Sequence, residues 1–147
     1  MLYIANDHVG FDLKTKLVEY LKKIGVECVD LGTGSRESVD FPDYCKKLVK
    51  EVKKDEQNKG ILICGSGIGM SICANRNKGI RAGLCTDVDM AMLSRQHNDA
   101  NVLILPGRLM HFGKAKKILR AFLGTQFFGG KYKVRMDMID GGAKNGG

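Results

Sequence analysis

Short apolar runs alternate with stretches of helical periodicity along nearly the whole chain, and this alternation narrows the fold more than any other feature. Leu2–Ala5, Val26–Leu31, Gly60–Ile63, Ile80–Cys85 and Val102–Leu105 each read as a strand. Between the first two, Leu13, Leu17, Val18, Leu21 and Ile24 recur at helical spacing, and Gly25 follows as a C-cap. Pro42 suits the first turn of a helix that carries Tyr44, Leu48 and Val52 on one face. Further helices are expected near Met70–Asn77, over Val88–Arg95 and over Phe112–Leu123. Past the Gly129-Gly130 break, Lys131–Ile139 reads as a last helix. Strand and helix in regular alternation predict an α/β, three-layer, Rossmann-like fold with a five-stranded parallel sheet and an extra C-terminal helix. Right-handed crossovers place ligands beyond the C-terminal ends of the strands. That rule marks Asp7-His8, Cys64–Gly69 and Pro106-Gly107-Arg108 as one crevice.

A chain of 147 residues suits one domain, expected over residues 1–140, with a flexible glycine-rich tail at 141–147. No apolar run reaches the ~18 residues that span a bilayer, so no membrane partner is expected. The opening MLYIANDHVG lacks the basic start of a signal peptide. Five cysteines, an odd number with no C-x-x-C pair, fit reduced thiols in a cytoplasmic protein and not disulfides or a zinc site. Cys28, Cys45, Cys73 and Cys85 read as packing residues.

The net charge is +8, and its distribution is uneven. Residues 1–75 carry 11 basic and 11 acidic side chains, while residues 76–147 carry 13 and 5. Such asymmetry implies an anionic partner. Dense Lys/Arg blocks with interleaved aromatics are missing, which favours a small phosphorylated molecule over nucleic acid.

The sharpest motif is Ile-Leu-Ile-Cys-Gly-Ser-Gly-Ile-Gly at residues 61–69. Its alternate glycines let the backbone approach a ligand with its N–H groups turned inward, and the following helix adds its positive end. No Gly-Lys-Ser/Thr follows, so it is not a P-loop. A dinucleotide reading keeps some force, because Asp87 follows the next strand where a ribose-binding acid would lie. A plain strand-to-helix turn is the bland alternative. Cys64 adds chemistry: a thiol facing a helix N-terminus ionises more readily. A thiolate beside N–H donors suits proton abstraction next to a carbonyl, where an enediolate must be stabilised. His8 and His97, each among polar neighbours, are expected at the same crevice. Lys131 and Arg135, four apart, share a helix face and with Arg108 can grip a phosphate.

Taken together, Asp7-His8-Val9-Gly10, Asp-Leu-Gly-Thr at 30–33, Ile-Cys-Gly-Ser-Gly-Ile-Gly at 63–69, Ser-Arg-Gln-His-Asn at 94–98 and Gly-Gly-Lys-Tyr-Lys-Val-Arg at 129–135 resemble the type B ribose-5-phosphate isomerases. The wider family includes galactose-6-phosphate isomerase subunits. The resemblance runs from Ile4 to Ile139. It implies aldose–ketose isomerisation of ribose 5-phosphate without metal or organic cofactor. By the same resemblance Cys64 is the base, His97 opens the furanose ring and Ser66 lies near the reacting carbons. The N–H groups of Gly65, Ser66, Gly67, Ile68 and Gly69 then form the enediolate site. Asp7, His8 and Asn98 contact the sugar or phosphate, and Arg108, Lys131 and Arg135 hold the phosphate. The family forms homodimers whose sites draw on both subunits, sometimes paired into tetramers.

Three positions depart from the family pattern. Lys131-Tyr132 replaces Arg-His, Phe41 replaces a common tyrosine, and Met70 stands where some members place a catalytic glutamate. A six-carbon sugar-phosphate isomerase and a non-catalytic phosphate or nucleotide-binding module remain as alternatives; Cys64 together with His97 favours the pentose.

Overall fold

A computed structural model describes residues 1–142. Five parallel strands form one sheet: β1 (Leu2–Asn6), β2 (Cys28–Asp30), β3 (Lys59–Cys64), β4 (Ala82–Leu84) and β5 (Val102–Pro106). Their spatial order is β2-β1-β3-β5-β4. The helices are α1 (Phe11–Lys23), α2 (Phe41–Val52), α3 (Ile68–Asn75), α4 (Val88–Gln96), α5 (Phe112–Gly124) and α6 (Lys131–Ile139). The expected three-layer arrangement is present. Alternate residues of each strand face opposite sides, so the sheet feeds two cores. Ile4, Ile61, Ile63, Leu103 and Leu105 pack with α1, α4 and α5. Ala5, Leu62, Cys64 and Ile104 pack with α2 and α3. The central strands β3 and β5 are apolar on both faces, as a doubly covered parallel sheet requires.

The outer strands are shorter than expected. β2 and β4 each pair along one edge only, so three residues of each join the ladder instead of the whole apolar run. Helix α3 starts at Ile68, two residues before the expected onset, because Gly67 adopts φ 80° and turns the chain directly from the loop into the helix. Gly25 lies just past the α1 cap with φ 75°, as its C-cap reading requires. Pro42 occupies the first turn of α2. Residues 143–147 of the glycine-rich tail lie outside the described residues.

The order β2-β1-β3 means that the chain leaves β1 in one direction and returns past it to β3. The crevice at the C-terminal ends of β1 and β3 is therefore the switch point where such sheets bind ligands. The loop that arrives there from β2 is anchored from below. The buried ammonium of Lys14 donates to Asp30 Oδ2 at 2.7 Å and to the Thr33 carbonyl at 3.1 Å. No helix among the described residues is long and apolar enough to cross a membrane.

Candidate active site

The register aligns the loops at the crevice. Asn6 pairs with Ile63, and Cys64 with Pro106, so β1, β3 and β5 end at one level. Asp7 follows β1; its N–H donates to the Ile63 carbonyl at 3.1 Å, and its Oδ1 accepts the Gly10 N–H at 3.0 Å. The Gly107 N–H donates to the Cys64 carbonyl at 2.7 Å and the Arg108 N–H to the Gly65 carbonyl at 2.9 Å. These bonds tie the loop after β5 to the glycine loop. The Arg108 guanidinium lies beside Gly65, close enough that a methyl group there would sit 3.9 Å from its Cζ. His8 accepts the Val39 N–H on Nδ1 at 3.1 Å. That bond leaves Nε2 as the nitrogen that carries the proton in the neutral ring.

Glycine is required within the loop by space as well as by conformation. A methyl at Gly69 would meet the Phe41 ring at 2.7 Å, so Phe41 forms a wall of the loop. One at Gly67 would meet Leu84 at 2.7 Å and Ile104 at 3.1 Å. The first turn of α3 leaves N–H groups without intrahelical partners. The Ile68 N–H is already taken by Ser66 Oγ at 3.2 Å, so in this state it is not available to a ligand. We expect Gly67→Ala to destabilise the fold by ~1–2 kcal/mol from its left-handed backbone alone, with overpacking adding ~1–3 kcal/mol. A urea melt compared with the parent chain measures the sum.

Cys64 ends β3 at the level of the crevice but is buried, 5% exposed, within the apolar cluster that includes Cys45, Met70 and Ala74. That burial narrows any approach to the thiol. Three other thiols are removed as bases near neutrality. Burial, reinforced by Asp30, pushes Cys28 up to about 12. Burial also raises Cys45 and Cys85. Ser66 is exposed at the tip of the loop.

His97, Asn98, Lys131 and Arg135 do not join this crevice in their own chain. Helix α4 starts beyond the C-terminal end of β4, runs antiparallel to the strands, and delivers His97 to the opposite end of the sheet, just before β5 begins. Val102 is level with Gly60, four residues below Cys64, which separates the two ends by about 13 Å along the strands. The expectation that both histidines share one crevice therefore fails within a single chain. A helix between β4 and β5 must return the chain to the start of β5.

A second cluster forms at that far end. The His97 ring stacks on Tyr132, with centroids 4.4 Å apart and planes 6° from parallel. Phe128 meets the same imidazole edge-on at 5.9 Å. Lys131 Nζ and Arg135 Cζ lie 5.3 and 5.8 Å from the Tyr132 centroid, so the two cations do share a face. Asn98 is exposed beside them and donates weakly to Met136 Sδ at 3.8 Å. Phe128 and the Val39 amide were not legible as site groups in the sequence. No spacing rule connects residue 97 to 128, or residue 8 to 39.

The dinucleotide alternative loses its acid. Asp87, the would-be ribose acid, caps α4 by accepting the Met90 N–H at 2.8 Å. His111 caps α5 and accepts the Lys114 N–H at 3.3 Å. Among the described residues, no group of three or more His, Cys, Asp or Glu is placed to hold a metal ion.

Comparison with known proteins follows the same pattern. The family model described as Ribose/Galactose Isomerase matches residues 2–139. Ribose-5-phosphate isomerase B of Escherichia coli is 47% identical over 133 residues, covering 90% of this chain and 89% of that protein. The crystal structure of a ribose 5-phosphate isomerase from Thermotoga maritima superposes with a TM-score of 0.92 at 52% identity, covering 95% of this chain and 96% of that one. Ribose-5-phosphate isomerase B from Mycoplasma genitalium, solved with bound ribulose-5-phosphate, has a TM-score of 0.91 at 39% identity, with 95% and 93% covered.

Proposed function

The chain belongs to the ribose/galactose isomerase family, and from that premise we propose that it interconverts D-ribose 5-phosphate and D-ribulose 5-phosphate, a step of the non-oxidative pentose phosphate pathway. The observation that carries this reading is the convergence of Cys64, the glycine loop and Arg108 at the switch point of a fold shared with named isomerases.

The mechanism begins with the closed furanose. His97 moves the proton from the C1 hydroxyl to the ring oxygen; the C1–ring oxygen bond breaks with its pair going to that oxygen, and the freed O1 pair closes to the C1 aldehyde. Cys64 then takes the proton from C2. The electron pair of that C–H bond forms the C1–C2 double bond, and the carbonyl pair moves to O1. The resulting cis-enediolate is held by amides of the Gly65–Gly69 loop. The proton on O2 passes to O1, the pair returns to form the C2 carbonyl, and Cys64 returns its proton to C1. One hydrogen has moved from C2 to C1, so neither metal nor redox cofactor enters the scheme. Ser66 orients the reacting carbons. Asp7, His8 and Asn98 hold hydroxyl or phosphate oxygens, and Arg108, Lys131 and Arg135 carry the phosphate charge. Lysine at 131 keeps the charge but not the bidentate fork of arginine.

This division of labour requires two copies of the chain. A homodimer that sets the far end of one protomer against the crevice of the other brings His97 and Lys131 to Cys64. Exposed apolar side chains support that arrangement: Ile68 and Ile72 on α3 are 56% and 55% exposed, and Met90 and Leu93 on α4 are 43% and 46% exposed. The free cysteines fit the reducing cytoplasm as its place of work.

The test is conversion of ribose 5-phosphate in heavy water, followed by NMR. Ribulose 5-phosphate carrying solvent deuterium at C1 is the expected product. Saturable sugar-phosphate binding with no exchange would reduce the protein to a binding module. Faster turnover of allose or galactose 6-phosphate would move it to the six-carbon branch.

A further inference from the structure

We infer that Tyr132 is a positioning residue for ring opening: its phenol ring fixes the plane of the His97 imidazole and couples that ring to the phosphate-binding cations of α6. The inference rests on the isomerase reading above and adds to it a residue with no role in the proposed proton transfers.

Little else holds α6 against the rest of the chain. None of its residues is buried. Its polar attachments to the rest of the chain are few and lie in its C-terminal half: the Gly79 N–H donates to Asp140 Oδ2 at 2.9 Å, and Asn98 reaches Met136. At its N-terminal end stands the parallel stack of Tyr132 on His97. His97 itself caps α4, where only its backbone is fixed, through its N–H to the Leu93 carbonyl at 2.9 Å. No hydrogen bond to either ring nitrogen appears among the described residues, in contrast to His8, whose Nδ1 is held by Val39. The orientation of the His97 ring is therefore set by aromatic contact, with Tyr132 covering one face and Phe128 closing an edge.

The opposite consequence falls on the cations. Lys131 and Arg135 both lie against the Tyr132 ring, one helical turn apart. One ring thus registers the imidazole that acts at the sugar ring against the charges that receive the phosphate, at opposite ends of one substrate. An imidazole that must reach both O1 and the ring oxygen is sensitive to its plane. A side chain that sets the plane without touching substrate acts on the ring-opening step and not on the enediolate step.

Ribulose 5-phosphate offers a substrate that separates the two steps. Its O5 is esterified, so the ketone cannot close to a furanose, and solvent hydrogen exchange at C1 needs no ring opening. We expect Tyr132→Ala to lower kcat for ribose 5-phosphate about 10–100-fold, with exchange into ribulose 5-phosphate and the Tyr132→Phe variant both within about twofold of the parent. The His97 ring protons, displaced upfield by the stacked phenol, move downfield in Tyr132→Ala and stay in place in Tyr132→Phe. Ribose turnover preserved in Tyr132→Ala would overturn the inference, as would equal loss of turnover and exchange. Unmoved His97 resonances would overturn it without reference to activity. A parent protein with neither turnover nor exchange, yet with the stacked His97 signature, would instead sink the isomerase reading.

Discussion

Cys64→Ala is expected to lose about 10²–10⁴-fold in ribose 5-phosphate turnover, the range a positioned general base supplies, while still binding a phosphorylated sugar. The structure explains why binding should survive. The glycine loop is fastened through backbone groups, Gly107 N–H to the Cys64 carbonyl and Arg108 N–H to the Gly65 carbonyl, and neither bond needs the sulfur. Removing one buried sulfur leaves a small cavity beside Met70 and Ala74. Loss confined to kcat is the signature of a group that acts in the transition state and not in ground-state binding. Cys64→Ser controls for packing: it nearly restores the volume but offers a hydroxyl that ionises far less readily, so its rate should stay with the alanine variant. Met70 cannot substitute as a base, and the thiols of Cys28, Cys45 and Cys85 are all raised by burial. Turnover within about threefold of the parent in Cys64→Ala would pass the role to the carboxylate of Asp7. That carboxylate lies at the same crevice and is held by the Gly10 N–H at 3.0 Å. Exchange of C1 hydrogen in ribulose 5-phosphate should fall in parallel with turnover, because both need the same base.

Much of the architecture was legible because it follows from local rules. Aliphatic runs such as Ile61–Ile63 had to be interior strands, and the glycines at 65, 67 and 69 had to form a close-approach turn. Convergence of Asp7, Cys64 and Arg108 followed from one topological rule applied to a parallel sheet. What failed was the placement of His97. The polar stretch around it looked like a site but gave no indication of which end of the sheet it occupied. The direction of α4 decides that, and a helix between β4 and β5 necessarily ends where β5 starts. The enclosure of Cys64 follows from its place in the strand. Its side chain alternates with Ile63 and so faces the α2–α3 layer, where Met70 packs against it. The stack of Tyr132 on His97 joins residues 35 apart in a chain with no repeat to align them.

Because His97 and Cys64 stand at opposite ends of the sheet, two inactive variants should restore activity when mixed. His97→Asn, like Cys64→Ala, is expected to be nearly inert toward ribose 5-phosphate, since the furanose must open before its C2 proton is acidic. In a homodimer with sites built across the interface, each site takes Cys64 from one protomer and His97 from the other. A mixed dimer of Cys64→Ala and His97→Asn chains then holds one site with both substitutions and one with neither. If protomers exchange at random in an equimolar mixture, half the dimers are mixed and about a quarter of all sites are intact, so activity should recover to about a quarter of the parent. Sites wholly within one chain give no recovery at any ratio, because every site then carries one lesion. Co-expression of the two chains with different tags avoids dependence on the rate of protomer exchange and isolates the mixed species. An inert mixed dimer would require His97 to act within its own chain, across the length of the sheet that separates it from Cys64.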